Sequence, residues 1–308
     1  MDHTTRAIFY RGLALYNRGK YAEAETSFQA AVERFPESEL LGQSRYWLGM
    51  SQVARRDWDN AVVTLQTALE KYPQHALAPA MAFWRAEACR QRGDSASAQE
   101  GYEQVRRSWP DSQYADDSLQ VQMQLTLADA QYDRVISLAE QFVAQFPDSP
   151  LMPHVGQSLA RAHLKLKQYG PAIDLLKQLV ASAAPADDGD ATAATNPEDA
   201  LALQANQYYL ALAYLGDGQY QTALEVLAKV QVTPENKDLY GGLQLAHAMA
   251  LAGLNRRPEA IESLQKYLAT GPTGAAAAAC AAAACCSGGS RYASKILRAI
   301  GAAVPLPL

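Results

Sequence analysis

The sequence predicts an all-α fold, an α-solenoid of about seven helical hairpins with a 37-residue period, from three observations. Ala24, Ala61, Ala98, Val135 and Ala172 stand 37 residues apart, and after a single 51-residue step Ala223 and Ala260 are again 37 apart. A fixed period of this size marks units that cannot bury their apolar faces alone and stack to share a core. The same grammar surrounds most of these markers. A turn residue and an aromatic precede them, an apolar residue follows four positions later, and in five repeats a proline stands twelve positions later. Each unit also divides into two runs of helical periodicity. In the second unit these are Tyr46, Trp47, Leu48 and Met50, then Ala61, Leu65, Ala68 and Leu69 at the i, i+4, i+7, i+8 spacing.

Each element follows from these marks. The first repeat reads Gly19-Lys20-Tyr21, Ala24, Phe28, Ala31 and Pro36, and the second reads Asp57-Trp58, Ala61, Leu65, Ala68 and Pro73. Second helices are expected to begin near Tyr21, Trp58, Ala96, Tyr132, Tyr169, Tyr220 and Pro258. Helices of about 14 residues would be roughly 21 Å long. Gly19, Gly93 and Gly218 fall between the two helices, where a residue at positive φ ends the first helix cheaply. Pro36, Pro73, Pro110, Pro147 and Pro272 close second helices, since proline has no amide to donate. The Phe-Pro-Glu-Ser, Trp-Pro-Asp-Ser and Phe-Pro-Asp-Ser junctions supply serine or acidic caps for the next helix. Gly12, Gly49, Ala86, Ala160, Ala211 and Ala248 share a position where helices approach closely, and Met123 breaks that series.

The array divides into repeats one to five at 5–182 and repeats six and seven at 200–272. The 51-residue step exceeds the period by 14 residues, supplied by the polar, mobile insertion 183–199. Asp187, Asp188 and Asp190 lie there, but the alternating ligands and closing glutamate of a calcium loop are missing. After Pro272 the grammar fails, and 273–308 is an alanine-rich tail offering either capping helices or a disturbed, poorly ordered end.

Leu48-Gly49, Trp58, Ala61, Leu65, Ala68 and Pro73 resemble the tetratricopeptide repeat (TPR), a helix, a tight turn and a second helix. The resemblance spans roughly 5–272 and implies a right-handed solenoid whose concave surface is lined by first helices. Within the family, Asn17-Arg18-Gly19-Lys20-Tyr21, Arg34-Phe35-Pro36-Glu37-Ser38, Tyr46-Trp47-Leu48-Gly49 and Lys71-Tyr72-Pro73 are similar to the periplasmic TPR proteins of the Tol-Pal system and to outer-membrane assembly lipoproteins. That similarity implies a bacterial cell-envelope adaptor. It places the protein in the periplasm or envelope if an export signal is missing from this sequence, and in the cytoplasm otherwise.

Composition narrows the function classes. A net charge of −5 leaves no basic domain, and Arg291, Lys295 and Arg298 are the only local basic cluster, so nucleic acid is not an expected partner. The apolar stretch 275–284 is too short and too weakly hydrophobic to span a bilayer. Cys89, Cys280, Cys285 and Cys286 form no CxxC pair, and Cys89 reads as a buried, inert thiol. His3, His75, His154, His163 and His247 are scattered over different repeats. No nucleophile elbow, phosphate loop or dinucleotide fingerprint occurs, so no enzyme activity, cofactor or metal is expected.

The expected function is a non-catalytic protein-protein interaction scaffold that takes a partner peptide or helix in the concave groove. Phe9, Tyr46, Phe83 and Tyr208 share one repeat position and Tyr10, Trp47, Trp84 and Tyr209 the next, so these aromatics read as inter-repeat packing. Positions that change between repeats are better recognition candidates. They are Leu13, Tyr16 and Met50 toward one end, and Glu87, Arg90, Gln91, Gln120, Gln124, Gln157, Arg161 and Lys165 in a polar middle. The alternative is a structural spacer or homo-oligomer joined through stacking ends or the tail.

Overall fold

The computed structural model describes residues 3–183, 197–231 and 237–271. Fourteen α-helices follow one another among the described residues: α1 (His3–Asn17), α2 (Tyr21–Arg34), α3 (Leu41–Ala54), α4 (Trp58–Lys71), α5 (Ala78–Gln91), α6 (Ser95–Ser108), α7 (Ala115–Ala128), α8 (Tyr132–Gln145), α9 (Met152–Lys165), α10 (Tyr169–Ala183), α11 (Pro197–Gly216), α12 (Tyr220–Leu227), α13 (Lys237–Gly253) and α14 (Arg257–Ala269). The even-numbered helices begin within one residue of the positions the sequence predicts, and those from α2 to α8 each have 14 residues.

The turn inside each hairpin is built the same way whatever residue occupies it. Gly19, Arg56, Gly93, Ala130, Lys167, Gly218 and Asn255 all have positive φ, between 57° and 86°. The next amide reaches back to the first helix, as Lys20 N–H does to Leu15 O at 2.9 Å and Asp57 N–H to Gln52 O at 2.9 Å, closing it with the 6→1 bond of a Schellman motif. Only three of these seven positions carry the glycine for which the conformation is free of Cβ strain.

The junction serines act differently from the expected caps. Ser38 lies outside α3, whose N-cap is Leu40 without a side-chain bond, and its Oγ instead accepts from Leu40 N–H at 3.2 Å. Ser149 does the same for Leu151 N–H at 3.2 Å. His75 occupies the corresponding place one period on from Ser38, and its Nδ1 accepts from Leu77 N–H at 3.0 Å. These residues brace the turn between hairpins. Asp94, in the turn within the third hairpin and not at a junction, caps α6 by accepting from Ser97 N–H at 3.1 Å.

The chain packs as two compact units, one comprising Met1–Asp129 with Glu140–Leu151, the other Ala130–Ala139 with Met152–Leu308. In the first, Ala24, Ala61 and Ala98 are fully buried. A side chain at Gly12 would meet the Phe28 ring at 2.7 Å, and one at Gly49 would meet Leu65 at 2.6 Å. Small residues are needed there because α1 and α3 press against large residues of α2 and α4. Tyr16 and Trp47 meet edge to face at 5.0 Å and Trp47 stacks on Phe28 at 6.4 Å, so Trp47 packs between repeats, whereas Tyr10 at the same repeat position is 59% exposed and does not. In the second unit the core gathers Ala172, Leu176, Tyr208, Ala211, Ala223 and Leu227.

The sixth repeat departs from the pattern. Its second helix α12 has 8 residues, where those from α2 to α8 have 14. Its first helix α11 has 20 residues and begins at Pro197, inside the segment read as an insertion, while α10 runs to Ala183. Residues 184–196, with the three insertion aspartates, and 272–308, with Pro272, the tail and its cysteines, lie outside the described residues.

Candidate functional site

In the first unit, the candidate face is formed by the helices that open each hairpin. Leu13 is partly buried against the Phe9, Phe28 and Leu48 cluster. Tyr16 is half-buried between Tyr21 and Trp47, at 5.2 and 5.0 Å. Burial and the neighbouring Tyr21 push its hydroxyl pKa up. Met50 is a correction: it is 8% exposed and belongs to the core cluster that holds Tyr46, Leu65 and Leu69, because α3 turns this position into the core it shares with α4. It offers almost no surface to a partner.

Glu87, Arg90 and Gln91, all on α5, form one network. Arg90 donates to both carboxylate oxygens of Glu87, from Nε at 2.9 Å and Nη2 at 2.5 Å. Gln91 Nε2 donates to the same group at 2.9 Å, and the buried Tyr102 hydroxyl of α6 donates at 2.8 Å. Burial opposes the Glu87 charge, but the bonds from Arg90, Gln91 and Tyr102 outweigh it and hold the carboxyl below its ordinary range. Burial and the Glu87 charge together push the Tyr102 phenol far up. Glu87 is thus an internal anchor with its acceptors occupied. Gln120 is partly buried on α7, and Gln124, one turn further, is exposed.

In the second unit, Gln157, Arg161 and Lys165 repeat every four residues and share one face of α9. Gln157 Nε2 donates to Asn206 Oδ1 at 3.1 Å, and the Arg161 guanidinium lies 5.8 Å from the centroid of the Tyr209 ring. Both partners belong to α11. Lys165 is exposed, and burial of part of its stem together with the Arg161 charge lowers its pKa. On α13, burial and then Lys266 lower the His247 pKa. Cys89 is buried, and that burial raises its thiol pKa. No group of three His, Cys, Asp or Glu side chains suited to a metal converges among the described residues.

Comparison with known proteins finds similarity at two levels, sequence and fold. Residues 1–117 match the family described as YfiO, outer membrane lipoprotein, and residues 205–232 match a tetratricopeptide repeat family. The fold is similar to that of solved TPR proteins. A tetratricopeptide repeat protein from Parabacteroides merdae is 13% identical with a TM-score of 0.57, over 97% of this chain and 100% of that one. The C-terminal part of a TPR repeat-containing protein from Cytophaga hutchinsonii is 16% identical with a TM-score of 0.60, over 88% of this chain and 98% of its own. PilW, described as a widely conserved type IV pilus biogenesis factor, is 17% identical with a TM-score of 0.53, over 77% and 96% of the two chains. At these identities the likeness concerns the fold. No curated protein matches the chain.

A second polar site escaped the sequence reading because it combines helices of neighbouring repeats. A cleft of about 530 Å³ opens between α4, α5 and α6, with Arg85 among its lining residues. The readable signal was the row holding Arg11, Leu48, Arg85, Gln122, Leu159, Leu210 and His247, in which polar residues stand among leucines. Gln122 is buried and bonded to Arg106, whose Nη1 donates to Gln122 Oε1 at 2.6 Å.

Proposed function

We propose that this chain is a non-catalytic scaffold of the bacterial cell envelope that binds a protein partner along the first helices of its hairpins. The observation that carries this reading is the match of residues 1–117 to an outer-membrane lipoprotein family, a segment that includes Leu13, Tyr16 and the Glu87 network. No described helix is long and apolar enough to cross a membrane. The repeated hairpins present side chains on rigid helices, which lowers the ordering cost of binding an extended peptide or a helix.

Within the first unit, Leu13 and Tyr16 supply apolar contact, and Gln120 and Gln124 supply adaptable donors and acceptors. The Glu87 network holds α5 and α6 in place behind them. Arg161 and Lys165 contribute a cationic contact in the second unit. Affinity capture from the source cell, read by mass spectrometry, tests the reading with the Gln120→Ala/Gln124→Ala chain beside the unaltered one. An envelope protein whose recovery falls several-fold with the double substitution is the expected result. Equal recovery of every captured protein by both chains would remove the first-helix face from the proposal.

A further inference from the structure

The turns that join hairpins in the first unit carry one titratable residue at a position where the repeat otherwise puts serine. Ser38, His75, Ser112 and Ser149 stand 37 residues apart. Ser38 and Ser149 each accept a backbone bond through Oγ, from Leu40 N–H and Leu151 N–H, both at 3.2 Å. His75 makes the equivalent bond through its ring, Nδ1 accepting from Leu77 N–H at 3.0 Å. Because a backbone amide can only donate, Nδ1 holds a lone pair there and the ring hydrogen is on Nε2. A hydroxyl keeps its acceptor at any ordinary pH, whereas an imidazole that takes up a proton becomes a donor at both nitrogens.

The ring is closely held. Gly42 of α3 faces it, since a Cβ there would stand 3.0 Å from His75 Cδ2 and 3.3 Å from Nε2. Two periods on, the same pair of positions holds Asp116 and Ser149, joined by a bond of 2.8 Å, so glycine at 42 is the complement of the larger ring at 75. His75 N–H donates to Tyr72 O at 3.0 Å, and Ala78 N–H donates to His75 O at 2.8 Å. Leu77, the N-cap of α5, is partly buried against the cluster holding Tyr46, Leu65 and Met81. One residue therefore ties α3, the end of α4 and the start of α5. The ionisable groups on these elements are Glu39 and Arg45 before and on α3, and Glu70, Lys71 and Tyr72 at the end of α4, with none in the first turn of α5. His75 forms an ion pair with none of them, so no carboxylate holds an imidazolium in place.

We propose that His75 is an acid-operated joint between the second and third hairpins: proton uptake at Nδ1 breaks the bond from Leu77, the ring leaves Gly42, and the start of α5 is freed. With a hydrogen on Nδ1, two donors would face each other across 3.0 Å. The bond belongs to the neutral ring, so its stabilisation is full above the imidazole range and is lost as pH falls through it, roughly from pH 8 to 5. Ser38 and Ser149 cannot respond over that range. Glu87 responds only below it, because its carboxyl is held under the ordinary value. The movement is thus confined to one joint.

The test is amide hydrogen exchange of the full chain, read residue by residue by NMR at about pH 7.5 and about pH 5, either side of the imidazole range, and divided by the intrinsic rate at each pH. Protection of the Leu77 amide is expected to fall about tenfold in acid, as loss of one hydrogen bond implies, while Leu40 and Leu151 keep theirs. His75→Ser restores the residue of the other junctions and should hold Leu77 protection level between the two pH values, with helicity intact. An unchanged Leu77 amide in the unaltered chain, an equal fall in His75→Ser, or equal falls at Leu40 and Leu151 would each overturn the assignment. The comparison of Leu77 with Leu40 and Leu151 is made within the unaltered chain, and it decides whether or not the variant folds.

Discussion

Glu87 in the first unit and Arg161 in the second share one repeat position, yet the structure uses them in opposite ways. The Glu87 carboxylate receives Arg90, Gln91 and the Tyr102 hydroxyl. Arg161 rests on the Tyr209 ring, makes no ion pair among the described residues, and has Lys165 one turn away. Departure from the repeat therefore has two meanings. At Glu87 it is spent on joining α5 to α6, whereas at Arg161 it leaves a cation open to an incoming group.

The largest test of that contrast is a pair of alanine substitutions. Glu87→Ala leaves a buried phenol and a partly buried guanidinium without their acceptor, and should cost about 2–3 kcal/mol in a denaturant titration. Arg161→Ala removes only a ring contact and should cost under about 1 kcal/mol. Equal losses would erase the distinction.

Acid acts on the same carboxylate. Because the folded Glu87 pKa is depressed, its stabilisation is fully present above the unfolded value of about 4.3 and is lost as pH falls through the folded value. Thermal melts of Glu87→Gln should show a shallower acid dependence than those of the unaltered chain, while Arg161→Ala should leave it unchanged. Tyr102→Phe deletes one bond to that carboxylate and should cost about 1.5 kcal/mol by chemical denaturation. Smallest is Lys165→Met. It relieves a like-charge pair at i, i+4 and should raise stability by a few tenths of a kcal/mol at low salt, an increment that added salt removes.

The fold was legible because its rule is repeated. Ala24, Ala61 and Ala98 mark the period, and each is fully buried. What was not legible depended on neighbours distant in sequence. Met50 changes identity between repeats and reads as a contact residue, but Leu65 and Leu69 from α4 enclose it. Glu87 looks like an open charge until Tyr102 arrives from the next helix. The Arg85 cleft needed residues from α4, α5 and α6 together, and a row containing both leucine and arginine does not reveal which one has a partner. The junction serines gave the right residue type and the wrong role, since the acceptor geometry belongs to the turn and not to the helix end.

The left-handed residues between hairpin helices also bear on how the chain assembles. Gly19, Gly93 and Gly218 adopt that conformation without help, whereas Arg56, Ala130, Lys167 and Asn255 take on steric strain. The hairpins of repeats one, three and six can therefore close from local sequence, and the other four need a neighbour already in place. Assembly acquires an order, with the glycine hairpins serving as templates against which the strained ones fold. Pulsed hydrogen exchange during refolding should protect the amides of α1, α2, α5 and α6 before those of α3 and α4.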